Sequence, residues 1–200
     1  MIVIPAVDLR NLDRRALGMA AEVTARVTAA DLDRPTPCAP WSLGDLLRHM
    51  VSENHGFAAA ASTGAQRSTE DCGDLGADPL SAFHDSAAVV TEAFAAPDIY
   101  DRQIEVGEFG SFAGRIAISM HCVDVLVHGW DLAVSIGVPF RPEPELAGSA
   151  LAIASRWPDT SKTRGPGAAF GARVPVPGDA PDFERLLALL GRHPSWQAPC

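Results

Sequence analysis

Residues 113–136 carry the strongest helical pattern in the chain: Ile116, Met120, Val123, Val127 and Leu132 recur at helical spacing, and Gly137 follows as a natural stop. The middle of this segment reads His121-Cys122-Val123-Asp124-Val125-Leu126-Val127-His128-Gly129-Trp130-Asp131. Apolar residues occupy most of its circumference, so other elements must enclose it. Asp124 and His128 then fall about 40° apart on one face, one turn above the other. A carboxylate and an imidazole in such surroundings are costly unless they pair or bind a metal ion.

Further helical segments supply the enclosure. Leu9, Leu12, Ala16, Leu17, Ala20, Val23 and Val27 form an amphipathic stripe that predicts a helix over 8–30. Pro35, Pro37 and Pro40 hold an extended linker. Ser42 and Asp45 have the spacing of a capping box, and the helix they open runs to about residue 62 through Leu46, Leu47, Met50, Asn54 and Phe57. Trp41, just before that cap, reads as a hydrophobic staple onto Leu46 or nearby residues, with a wall of a metal pocket as the alternative. Residues 63–78 read as a surface loop, 79–96 as a helix, 99–112 as a short hairpin, 143–157 and 181–191 as two more helices. No internal repeat occurs. The predicted fold is an all-α four-helix bundle over residues 1–157, with long loops. A short irregular C-terminal extension, 158–200, packs its one helix on that bundle.

Charge and composition restrict the partners. The chain has 16 Lys+Arg against 25 Asp+Glu, a net charge of −9, which opposes general nucleic-acid binding and attachment to anionic membranes. No run of about 18 uncharged apolar residues exists, and the N-terminus lacks the pattern of a secretory signal, so a cytoplasmic protein without a membrane span is expected. Cys38, Cys72, Cys122 and Cys200 form no CxxC pair and read as reduced thiols, Cys38 as an inert one in its Pro-rich loop.

The candidate chemistry lies in His49, Asp124 and His128. His49 borders the apolar face of the second helix, and three protein ligands would leave positions open for water or substrate, the pattern of catalytic metal sites. An ion pair between Asp124 and His128 is the plain alternative. His121, His55 and Glu53 lie close enough in sequence to compete for a place in the site, whereas His84 and His193 read as surface residues. No GxSxG elbow, phosphate loop or dinucleotide fingerprint is present.

The stretch Thr36-Pro37-Cys38-Ala39-Pro40-Trp41-Ser42-Leu43-Gly44-Asp45-Leu46-Leu47-Arg48-His49 resembles the P-C-x-x-W-[ST]-[VL]-x-[DE]-L-[LV]-x-H opening of the DinB-like superfamily. The run from Asp124 to Ala133 looks like the second metal segment of its mycothiol-dependent maleylpyruvate isomerase family in actinobacteria. The ending, from Phe170 to Trp196, is similar to that of uncharacterised actinobacterial members. The resemblance implies a bundle holding a divalent ion, zinc or nickel, through three side chains. His49 matches the first ligand and His128 the last, while Asp124 falls where the isomerase has a glutamate. It also implies mycothiol or a like thiol as co-substrate, activated at the ion. The isomerase has a larger C-terminal domain; here residues 158–200 follow the bundle.

The leading expectation is therefore a metal-dependent thiol S-transferase or isomerase-like enzyme acting on a small-molecule thiol and an electrophilic substrate. The alternatives are a metal-dependent hydrolase, or a non-enzymatic bundle that binds a ligand or forms a homodimer.

Overall fold

A computed structural model describes residues 8–64, 73–160, 163–165 and 168–198. Parts of the loop predicted over 63–78 and of the C-terminal extension, and both chain ends, lie outside the described residues, as do Cys72 and Cys200.

Helix α1 is Leu9–Thr24, α2 Leu43–Thr63, α3 Pro79–Phe94, α4 Gly114–Ser135, α5 Pro144–Ala154 and α6 Asp182–Leu189. Strands β1, Gln103–Val106, and β2, Gly110–Ala113, pair antiparallel as the predicted hairpin, with Ile104 opposite Phe112. The protein is thus a helical bundle with one small two-stranded sheet. In it α1 packs chiefly on α4, α2 on α3, and α5 on α6.

Each start is set by local chemistry. Asp8 accepts from the Arg10 and Asn11 amides to open α1, and Asp78 does the same for α3 ahead of Pro79. At α2 both halves of the Ser42–Asp45 box form. Helix α4 ends in a Schellman turn: Val138 N donates to Ala133 O and Gly137 N to Val134 O, with Gly137 at φ +73°.

One boundary differs from expectation. The helix predicted over 8–30 stops at Thr24, and Ala29–Asp31 forms a separate 3₁₀ turn. Thr28 and Asp31 close a capping box of their own, which offers the backbone an alternative to continuing the helix.

The core is one cluster around α4, with Ile118, Leu126 and Leu132 at 0% exposure. By length and composition α4 is also apolar enough to cross a membrane, but 83% of the qualifying window is buried inside the protein, as in the core helix of a bundle. Its apolar circumference is explained by neighbours on all sides.

Candidate metal centre

The core contains two separate polar groups on α4. The first is His121, fully buried with its ring edge-on to Phe57 and Phe94. Its Nδ1 donates to Asp13 Oδ1 at 2.7 Å, and its Nε2 lies 2.9 Å from Asn54 Oδ1. Asn54 Nδ2 donates to Ser86 Oγ, whose own proton goes to Phe83 O. Asn54 Oδ1 is therefore an acceptor, both nitrogens of His121 donate, and the ring is an imidazolium. Burial alone would lower its pKa; the charge of Asp13 and its hydrogen bond outweigh burial and raise it. His121 is thus committed to the core and does not compete for the neighbouring site. Cys122, also buried, forms no pair with it.

The second group joins α2 to α4. His49, Asp124 and His128 each bring a ligand-type atom within 4.8 Å of the others. Asp124 Oδ1 lies 3.3 Å from His128 Nε2 and 3.9 Å from His49 Nε2, and the two imidazoles meet edge to face at 4.9 Å. Asp124 Oδ2 is buried and has no hydrogen-bond partner. His49 and Asp124 keep 26% and 30% side-chain exposure, so the cluster opens to solvent on that side, while His128 keeps 8%.

Burial would raise the pKa of Asp124, but His128 and His49 hold it well below the usual carboxylate range. Burial would lower that of His128, but Asp124 and Asp131 on its two sides hold it well above the usual imidazole range. Glu53, one turn beyond His49, sits outside this cluster; burial, with Asp124's charge, pushes its pKa up. His55 lies apart in a groove of about 760 Å³ between α2 and α3 that includes none of the three residues. His84 and His193 are exposed, as expected.

Two roles differ from expectation. Trp41 is not sunk as a staple. It is 38% exposed with its ring 4.8 Å from His49 and 6.5 Å from His128, so it walls the cluster. Cys38 is not isolated: its Sγ donates to Asp131 Oδ2 at 3.0 Å and accepts from Arg192 Nη2 at 3.0 Å. Asp131, at 0% exposure, also accepts from His128 Nδ1 at 2.9 Å and from Arg192 at 3.1 Å. The His128–Asp131 spacing of three is a local signal legible in the sequence; nothing local connects Cys38 with Arg192.

These residues fit a divalent ion. His128 spends Nδ1 on Asp131, which leaves Nε2 for the cluster, the usual way a carboxylate orients a ligating imidazole. Two imidazole nitrogens and a carboxylate with an unused oxygen are a donor set suited to zinc or nickel.

A family model described as the mycothiol maleylpyruvate isomerase N-terminal domain matches residues 14–133. The chain is 35% identical over 180 residues, 90% of its length and 94% of theirs, to an uncharacterized protein recorded in two strains of Mycobacterium tuberculosis. Among solved structures, the mycothiol-dependent maleylpyruvate isomerase superposes with a TM-score of 0.58 at 16% identity, covering 74% of this chain and 68% of that one. A mutant of that isomerase gives a TM-score of 0.56 at 12% identity, covering 76% and 68%. At these identities the structural likeness is one of fold.

Proposed function

The chain belongs to the mycothiol maleylpyruvate isomerase N-terminal domain family, of DinB-like fold, and on that premise we propose that it is a divalent-metal enzyme that uses a mycothiol-type thiol. His49, Asp124 and His128 would hold the ion, with zinc or nickel as the candidates. The observation that carries this reading is the convergence of two imidazoles on the half-buried Asp124, whose buried Oδ2 has no partner.

When bound, such an ion supplies Lewis acidity, lowering the pKa of a thiol at its open position. The rest falls to the chain. Asp131 keeps the His128 ring in register, and Trp41 covers one side of His49. The exposed edge at His49 and Asp124 admits a small thiol and an electrophile. The thiol gives its proton to solvent at that exposed edge, and the thiolate forms a carbon–sulfur bond at the electrophilic carbon as an electron pair of the substrate is displaced onto its neighbouring atom. The sulfur then either leaves again once the substrate has rearranged, or stays while a leaving group departs with the displaced electron pair. The family name favours the thiol reading over hydrolysis.

Cobalt-substituted protein tests this. Adding mycothiol should produce a thiolate-to-metal charge-transfer band, and mass spectrometry with an added electrophile should show the thiol adduct. Cobalt protein that shows no response to millimolar thiol overturns the thiol reading. Full metal occupancy in His49→Ala overturns the ligand assignment.

A further inference from the structure

Helix α6 ends so as to aim one side chain into the bundle. Gly191 adopts φ +82°, Arg192 N donates to Leu187 O at 2.8 Å, and Gly191 N donates to Ala188 O at 3.2 Å, a Schellman turn with Arg192 just beyond it. A Cβ on Gly191 would lie 2.7 Å from Gly171 Cα, so this turn is seated against another stretch of the C-terminal segment. Arg192 Nη1 donates to Leu190 O at 3.0 Å, and Nη2 reaches both Asp131 Oδ2 and Cys38 Sγ. The Arg192 side chain is 11% exposed and that of Asp131 0%.

Two consequences follow from this placement. A fully buried carboxylate needs a cation, and the guanidinium supplies one, so Asp131 can remain charged and hold the Nδ1 proton of His128. In addition, Cys38 Sγ, His128 Nδ1 and an Asp131 oxygen lie within 4.8 Å of one another, a group with the composition of a metal site. The guanidinium nitrogen sits 3.0 Å from one and 3.1 Å from another of these atoms, in the place a second cation would take.

We propose that Arg192 is a positioning residue for the metal ligand His128. It clamps Asp131 so that Nε2 faces His49 and Asp124, and it fills, as a fixed organic cation, the adjoining Cys38–His128–Asp131 site. The bundle therefore takes one ion and not two. Arg192 lies outside residues 14–133, so the C-terminal segment completes the centre that the matched region contains. This inference rests on the reading that His49, Asp124 and His128 bind a divalent ion.

The test is a cobalt titration of the metal-free full chain, followed by absorption, for wild type, Arg192→Ala, Arg192→Lys and Arg192→Ala combined with Cys38→Ser. Wild type should take one cobalt with no cysteine-thiolate band. Arg192→Ala should bind about 10–100-fold more weakly, the usual cost of losing an outer partner of a ligating histidine. It should also gain a thiolate-to-cobalt band, through Cys38, that the double variant lacks. Arg192→Lys, which keeps the charge but not the fork, should recover part of the affinity and suppress the band. If Arg192→Ala does not fold, Arg192→Gln carries the same expectations. A folded Arg192 variant with wild-type affinity and spectrum overturns the inference alone. Wild-type protein that takes no cobalt overturns the metal reading, and this inference with it.

Discussion

Single residues divide α4 into a structural and a chemical part. His121 is the structural one: a buried imidazolium held by Asp13 and Asn54. Its pKa is raised in the folded state, so the stability it contributes is fully present below about pH 6.5, the unfolded value, and is lost as pH rises through the folded value. Asp13→Asn should therefore cost about 3–5 kcal/mol near pH 6. Melting curves of the two proteins should draw together as the pH is raised above about 6.5; a gap that stays constant with pH would mean that His121 does not titrate on folding. Trp41, just ahead of α2, stands against the second group through His49 and His128. Cobalt bound beside it should quench its emission, and Trp41→Phe should abolish that quenching while costing under about 1 kcal/mol, since the ring is 38% exposed. His55→Ala, in contrast, should leave metal affinity unchanged.

At the scale of elements, the joints set the geometry. The first residue of α4 is Gly114, whose amide donates to Arg102 O at 2.8 Å and ties the helix to the hairpin. A Cβ there would lie 1.8 Å from Ile99 O, so backbone would have to move at the very root of the helix that carries Asp124 and His128. Gly114→Ala should destabilise by about 3 kcal/mol, the upper end of overpacking costs. Gly18, mid-way along α1, has nothing within 4 Å of its Cβ position, and Gly18→Ala should stabilise by about 0.5–1 kcal/mol. Chemical denaturation of both variants checks the pair, and equal effects would contradict the packing argument.

For the whole molecule, the apolar core is continuous from α1 through α6. A bundle of this size buries enough apolar surface to fold unaided, unlike a zinc finger. Chelated protein should keep its helical circular dichroism and lose only the increment of melting temperature that ligand binding confers. Collapse to a random coil on chelation would show that the ion is structural.

What the sequence determined by itself was local. Asp8, Ser42 with Asp45, and Asp78 opened their helices because a cap acts within one turn. The apolar periods placed six helices, and the spacing of Asp124 and His128 put them on one face. His49 was legible as a residue bordering an apolar face, and the motif it shares with relatives singled it out. Only the tertiary structure decided which faces meet. Periodicity tells which side of a helix is buried, and does not tell against what. It therefore left His121 open as a ligand until Asp13, 108 residues away, claimed it. It left Cys38 inert until Arg192, 154 residues further on, reached it. The energy of a buried charge depends on partners that distant parts of the chain deliver, and no local pattern encodes that delivery.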